Sequence, residues 1–294
     1  MNKPYALFDA HCDTALRLLA GESLRDRSGP VSLREAGGFS RWRQIFAFCC
    51  EMPEAPGDIL WDRLSAQLAE FHRRLPAGVE AVPGVEGCEQ LSRREGARKA
   101  YDAGVRIFGI TWNYDNRYCG AAAGTGAGLT REGKTLVGEI EALCGVVDCS
   151  HMSERGFYDL AEVANRPFMA SHSNARALCD HPRNLTDVQL RTLARTGGIA
   201  GVNFYLPFLV KRGDAGISRV ADHVIHMMSI LGAGGLCLGA DFDGCDRLPT
   251  GLDRISALPR LGEELLSRGL TESEVRGFFH DNLYQFLHTK LRSI

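Results

Sequence analysis

No two of the ten cysteines in this 294-residue chain form a Cys-x-x-Cys pair, so a thiolate-held structural zinc is not expected. Most cysteines lie inside apolar runs, as in Ala47-Phe48-Cys49-Cys50. There cysteine behaves as a small hydrophobe, a usage that suits a reducing compartment. Positive charge is not in excess either: 34 Lys and Arg face 36 Asp and Glu, for a net charge of −2. That argues against a nucleic-acid-binding surface. No run of about 18 apolar residues exists, so no membrane span is expected. The leading MNKPYALFDAHCD lacks a signal-peptide core, and the closing FLHTKLRSI is not a lipid-anchor tail. The expected location is the cytoplasm. No Pro/Ser/Gly linker and no short internal repeat divides the chain, so residues 1–294 read as a single domain. No G-x-G-x-x-G follows the first apolar run, which weighs against dinucleotide binding.

What the chain does contain is regular alternation. Eight short apolar runs read as strands: Tyr5–Ala10, Arg43–Cys50, Val79–Val85, Val105–Thr111, Gly145–Cys149, Pro167–Ser171, Ile199–Phe204 and Leu236–Ala240. Several are continuous, the pattern of strands buried on both faces of a parallel sheet. Helical stripes lie between them. Leu60, Leu64, Leu68, Phe71 and Leu75 form one, and Val220, Val224, Met227, Met228 and Leu231 form another; both are core-facing. Thr271-Glu272-Ser273-Glu274 is a capping box that opens a final helix through Val275, Phe279, Leu283 and Phe286. Strand–helix alternation repeated eight times predicts a (β/α)₈ TIM-like barrel of the metal-dependent hydrolase type, with an open doubly wound sheet as the alternative.

In such a barrel the active site lies at the C-terminal strand ends. Five of the eight runs end in potential ligands: His11 and Asp13, Glu86, His151, His172, and Asp241 with Asp243. If the chain is extended there, His11 and Asp13 point to the same side. Singly, each residue has an ordinary reading. A histidine is usually on the surface or hydrogen-bonded, Glu86 suits a helix cap, and Asp241 and Asp243 suit a turn. Together they suggest a metal site of imidazole nitrogens and carboxylate oxygens. With one carboxylate shared, they would suit two ions about 3.5–4 Å apart. The remaining histidines fall mainly on helical patterns and read as structural, with His181 and His223 left open.

On these residues the sequence resembles the membrane dipeptidase (renal dipeptidase) family of metallopeptidases, peptidase family M19, and its shorter bacterial members in particular. The landmarks are FDAHCD at 8–13, VEG at 85–87, GITWNYDN at 109–116, VDCSHMS at 147–153, FMASHSNARALCDHPRNLTD at 168–187, GVNFYLPFL at 201–209 and GADFDG at 239–244. His151 and His172 stand 21 residues apart, as the family pattern requires. The resemblance implies a barrel with a binuclear zinc centre: His11 and Asp13 on one Zn²⁺, His151 and His172 on the other, and Glu86 bridging. It also implies that Arg183 grips the substrate carboxylate and that Asp241 stands by the scissile bond. On this reading a hydroxide between the two zinc ions attacks the peptide carbonyl of a dipeptide, L-Xaa-D-Xaa included. Asp241 takes the proton and returns it to the leaving amine. One departure concerns the end of the fourth strand. Some relatives have a histidine there, where this chain has Trp112, followed by Asn113; both are candidate substrate contacts. Family members often pair as homodimers, and the same ligands accept Mn²⁺, Co²⁺ or Fe²⁺.

Two rival readings differ in chemistry. One keeps the metal site but cleaves N-acyl amino acids or related small amides and esters. The other is a catalytically silent barrel that acts as a binding protein.

Overall fold

A computed structural model describes residues 5–52, 54–91 and 95–291. A strand overlaps each apolar run: β1 (Ala6–Cys12), β2 (Arg41–Cys49), β3 (Glu80–Glu86), β4 (Ile107–Gly109), β5 (Val146–Asp148), β6 (Met169–Ala170), β7 (Ile199–Val202) and β8 (Leu236–Leu238). They pair in sequence order, all parallel, and β8 closes on β1. The barrel is therefore the expected one. Most strands are shorter than their apolar runs, β6 being two residues long. Burial sets the extent of an apolar run, whereas ladder hydrogen bonds set the extent of a strand.

The period of two divides each strand between two cores. Phe8, Ala10, Ile45, Val82, Ile107, Val146, Met169, Ile199 and Cys237 fill the barrel, so every strand contributes. Alternate residues such as Leu7, Phe46, Phe108, Val147, Ala200 and Leu238 pack outward under the helices. The helix Gly57–Arg74 buries Leu60, Leu64, Leu68 and Phe71; the expected fifth member, Leu75, is its C-cap. The helix Ile217–Leu231 buries Val220, Val224, Met227, Met228 and Leu231, so the methionine pair is packing.

The N-terminal mouth of the barrel is sealed. Leu283, Phe286 and Leu287 of the helix Asn282–Leu291 belong to the same buried cluster as the barrel interior. The capping box at Thr271 and Glu274 forms as expected. The single final helix does not: a π-helical turn over Gly277–Asp281 separates Glu272–Arg276 from Asn282–Leu291. The wider turn lets consecutive residues Phe278, Phe279 and His280 all point inward, with Phe279 against Tyr5 at 5.2 Å between ring centroids. No described helix is long and apolar enough to cross a membrane.

Candidate metal centre

At the opposite mouth the first ligand is aimed by a defect in the sheet. Ala6 to Asp9 pair with Arg41 to Gln44 in step, but Cys12 pairs with Phe46, one residue early. Asp9 and Cys12 thus both stand opposite outward-facing positions with two residues between them, Ala10 and His11. Ala10 lies in the barrel core, and the extra residue turns His11 to the same side, as bulges beside active sites do. The buried Asp9 carboxylate accepts the backbone N–H groups of Ala240 (2.9 Å) and His11 (3.3 Å), which holds the bulge open. Asp13 is not in extended chain, contrary to expectation. It is the N-cap of the helix Thr14–Leu19, with φ −94° and ψ 13°. The helix start, not strand alternation, brings its Oδ1 to 3.6 Å from His11 Nε2.

Glu86 is the last residue of β3, only 4% exposed. His151 and His172 follow β5 and β6. His151 has φ 66°, a left-handed conformation costing roughly 1 kcal/mol or more outside glycine. Its carbonyl accepts the N–H of Ala122 (2.7 Å) from the neighbouring loop. The result is two overlapping groups. Glu86 Oε1 lies 2.9 Å from His151 Nε2 and 3.4 Å from His172 Nε2, and those nitrogens are 2.9 Å apart. On the other side, His11 Nε2 lies 3.6 Å from Asp13 Oδ1 and 3.8 Å from both Glu86 Oε1 and Asp241 Oδ1. One oxygen of Glu86 belongs to both groups.

The donor set fits cations. Ligand atoms about 2.1 Å from a tetrahedral ion stand roughly 3.4 Å apart, close to these spacings. Both Glu86 oxygens, Asp13 Oδ1 and His151 Nδ1 are buried without a hydrogen-bond donor or acceptor in the protein. Such atoms are costly unless something else pairs with them. Burial pushes Glu86 up to about 8, against the pull of His11 and with repulsion from Asp13 and Asp241. Burial likewise pushes Asp241 up to about 6. Burial would lower His11, but Glu86, Asp13 and Asp241 together carry it up to about 10. His151 and His172 are held well below the usual imidazole range, by burial and then by neighbouring positive charge. The ligand atoms thus repel one another, and bound cations would relieve that repulsion.

A cavity of about 400 Å³ opens above these atoms. Asp13, Glu86, Trp112, Asn113, His151, His172, Arg183 and Asp241 line it; His11 lies beneath its floor, 4% exposed. All nine site residues expected from the sequence therefore converge. Arg183 Nη2 is 2.7 Å from His172 Nε2, its guanidinium lies over Phe208 at 5.4 Å, and its buried Nε has no partner. Asp241, at φ 62°, accepts a hydrogen bond from Asn203 Nδ2 (3.1 Å). Asp243, two residues on, takes no part. Arg27 clamps it through two hydrogen bonds (2.7 and 2.8 Å), and the Thr14 hydroxyl donates a third at 2.6 Å. Gly244 sits where a Cβ would collide with the carboxylates of Asp13 and Asp241, so any larger residue would displace them.

Sequence reasoning missed several neighbours. Asn203 supports Asp241, Asp9 supports the bulge, and Asp148 lies under His172. Tyr205, Phe208 and Pro182 complete the pocket wall. The phrase VDCSHMS already held the Asp148 signal, an acid at an inward position of a strand. Of the two histidines left open, His181 lines the pocket and packs on Phe208 at 4.5 Å. His223 is structural: buried, it accepts the Ala175 N–H (3.3 Å) and bonds the Leu209 carbonyl (3.3 Å).

Comparison with known proteins shows the family and the fold. The family model described as membrane dipeptidase, peptidase family M19, matches residues 63–291. An uncharacterized protein in the pqqA 5′ region of Klebsiella pneumoniae is 37% identical over 248 residues, covering 74% of this chain and 91% of its own length. An uncharacterized dipeptidase of Schizosaccharomyces pombe is 34% identical over 203 residues, covering 67% of this chain; the match spans half the length of that relative. Among solved structures, a metallo peptidase from Rhodobacter sphaeroides, liganded with a phosphinate mimic of the dipeptide L-Ala-D-Ala, superposes with a TM-score of 0.80 at 28% identity. That match covers 98% of this chain and 99% of the other. An amidohydrolase from Pseudomonas aeruginosa at 19% identity shares the fold. With a matching family model over most of its length and a relative above a third identical, the chain belongs to the membrane dipeptidase family, peptidase family M19, whose enzyme class is metallo-dipeptidase.

Proposed function

We propose that this chain hydrolyses a dipeptide at a centre of two Zn²⁺ ions, one held by His11 and Asp13, the other by His151 and His172, with Glu86 shared. One observation carries the reading: a single buried carboxylate oxygen, Glu86 Oε1, belongs to both donor groups. When bound, the ions supply Lewis acidity, which acidifies water and polarises a carbonyl. The side chains do the rest. Arg183 lines the cavity with its Nε–H unpaired and its Nη2 against His172; a guanidinium there is suited to the free carboxylate of a substrate. A longer peptide would place an amide there, so the fork limits length. Asp241, steadied by Asn203, moves the proton: its carboxylate accepts one from water and gives it to the leaving amine. Trp112 and Asn113 contact the substrate side chains. The relative bound to an L-Ala-D-Ala mimic suggests tolerance of a D-residue at the C-terminal position. Residues 1–294 act as one catalytic domain, working in the cytoplasm as a homodimer.

The test measures metal content and dipeptide hydrolysis together. Zinc-replete protein should carry about two ions per chain and cleave a panel of free dipeptides. Glu86→Ala and His151→Ala should lose both properties. Unchanged hydrolysis in either variant removes this site. A preference for dipeptides with a blocked C-terminus removes the role of Arg183 and favours cleavage of other small amides.

A further inference from the structure

Behind the two imidazoles that face each other, the protein is asymmetric. His151 Nδ1 is buried with no partner. His172 Nδ1 lies 2.7 Å from Ser171 Oγ. Ser171 Oγ in turn donates to Asp148 Oδ2 at 2.5 Å. The other oxygen of Asp148 accepts the backbone N–H groups of Ser150 and Ser171, each at 2.9 Å. Ser150 Oγ accepts the His172 backbone N–H (3.1 Å) and lies 3.2 Å from Ser171 Oγ. All four residues are buried, none more than 5% exposed.

The proton count allows one arrangement. A carboxylate only accepts, and a serine hydroxyl has one proton to give. Ser171 gives its proton to Asp148. Its two lone pairs are then filled by Ser150 Oγ–H and by His172 Nδ1–H. The N–H of His172 is thereby fixed on Nδ1, and the lone pair of Nε2 faces Glu86 Oε1, His151 Nε2 and Arg183 Nη2, which donates to it at 2.7 Å. Metal-binding histidines are commonly fixed this way by a carboxylate; here a serine stands between. The fold supplies the contact. Asp148 and Ser171 are inward positions of neighbouring strands, and Gly201 makes room, since a Cβ there would overlap the Ser171 carbonyl.

We propose that Asp148, acting through Ser171, is a positioning residue that locks His172 as an Nε2 donor and makes it the stronger imidazole of its pair. The inference rests on the proposed metal centre. It predicts an inversion in Asp148→Asn. The amide oxygen can keep both backbone N–H bonds, while its NH₂ donates to Ser171 Oγ. Ser171 then turns its proton to the nearer acceptor, His172 Nδ1 at 2.7 Å rather than Ser150 Oγ at 3.2 Å, and His172 carries its own proton on Nε2, where a ligand needs a lone pair. The near-isosteric change should weaken metal binding more than Ser171→Ala, which merely removes the relay.

The experiment titrates the metal-free full chain with Zn²⁺ against a competing chelator. It also records histidine ¹⁵N spectra of the metal-free protein, using His172→Gln to assign the ring. The expected result is about a hundredfold loss of affinity for Asp148→Asn and about tenfold for Ser171→Ala. The His172 proton should sit on Nδ1 in the parent and on Nε2 in Asp148→Asn. A folded Asp148→Asn within about threefold of the parent overturns the relay and leaves the metal centre standing. If that variant does not fold, Ser171→Ala decides alone: affinity within about threefold of the parent overturns the relay, and a larger loss supports it. A parent that binds no Zn²⁺ overturns both the relay and the centre.

Discussion

The two mouths of this barrel follow opposite rules. The N-terminal mouth is closed by Leu283, Phe286 and Leu287, continuous with the apolar interior. The C-terminal mouth gathers Asp13, Glu86 and Asp241 around three histidines, leaves buried lone pairs unsatisfied and holds three residues, His151, Asp241 and Asp243, at left-handed φ. Stability is concentrated at one end. The other end gives some of it up, because a site arranged to receive a cation repels itself until the cation arrives. The two ends should therefore fail differently.

The sharpest way to separate them is Glu86→Ala. It should remove about 4 kcal/mol of transition-state stabilisation, roughly a thousandfold in kcat/KM, with little loss of thermal stability. Calorimetry beside a dipeptide assay checks this, and a variant that keeps its rate or unfolds early would erase the contrast. Phe286→Ala is the converse: about 3–5 kcal/mol of stability should go, with the rate per folded molecule unchanged, as urea unfolding and active-site titration would show. Arg27→Ala tests the brace between the loops after β1 and β8. It leaves Asp243 buried without its cation, and about 2–3 kcal/mol should be lost in denaturant unfolding. A loss below experimental error would make the brace ornamental. The smallest effect is one of pH on chelator-treated protein. Glu86 and His11 both have raised values, about 8 and about 10. Between pH 7.5 and 9 the folded state therefore binds more protons than the unfolded chain, and stability falls as pH rises. His151 and His172, with lowered values, are neutral in both states there. Zinc-loaded protein, whose ligands are already deprotonated, should be flat across that window, and a matching slope would refute the assignment.

Much of this was readable in advance, for physical reasons. A strand buried on both faces leaves an uninterrupted apolar run, so all eight strands were legible, though their hydrogen-bonded lengths were not. The polar residue that ends such a run is conspicuous, which made His11, Glu86, His151, His172 and Asp241 visible. Arg183, Trp112 and Asn113 lie in loops where nothing periodic marks them, and only the likeness to a family singled them out. Asp9 and Asp148 stayed hidden because their work is done on backbone N–H groups and on a serine, partners that depend on register. The π-turn at Gly277–Asp281 was hidden for a related reason: Val275, Phe279 and Leu283 keep helical spacing across it.

The register slip in β1 carries a consequence for anyone moving this motif. Deleting Ala10 would leave the composition almost untouched, yet it would put the imidazole in the vacated core position opposite Ile45, drawn down into the barrel and away from the other ligands. Transplanting the histidine into another barrel would fail in the same way unless the surplus residue and the aspartate that props it travelled along. What must be copied is a miscount in a hydrogen-bond ladder, and no substitution matrix records one.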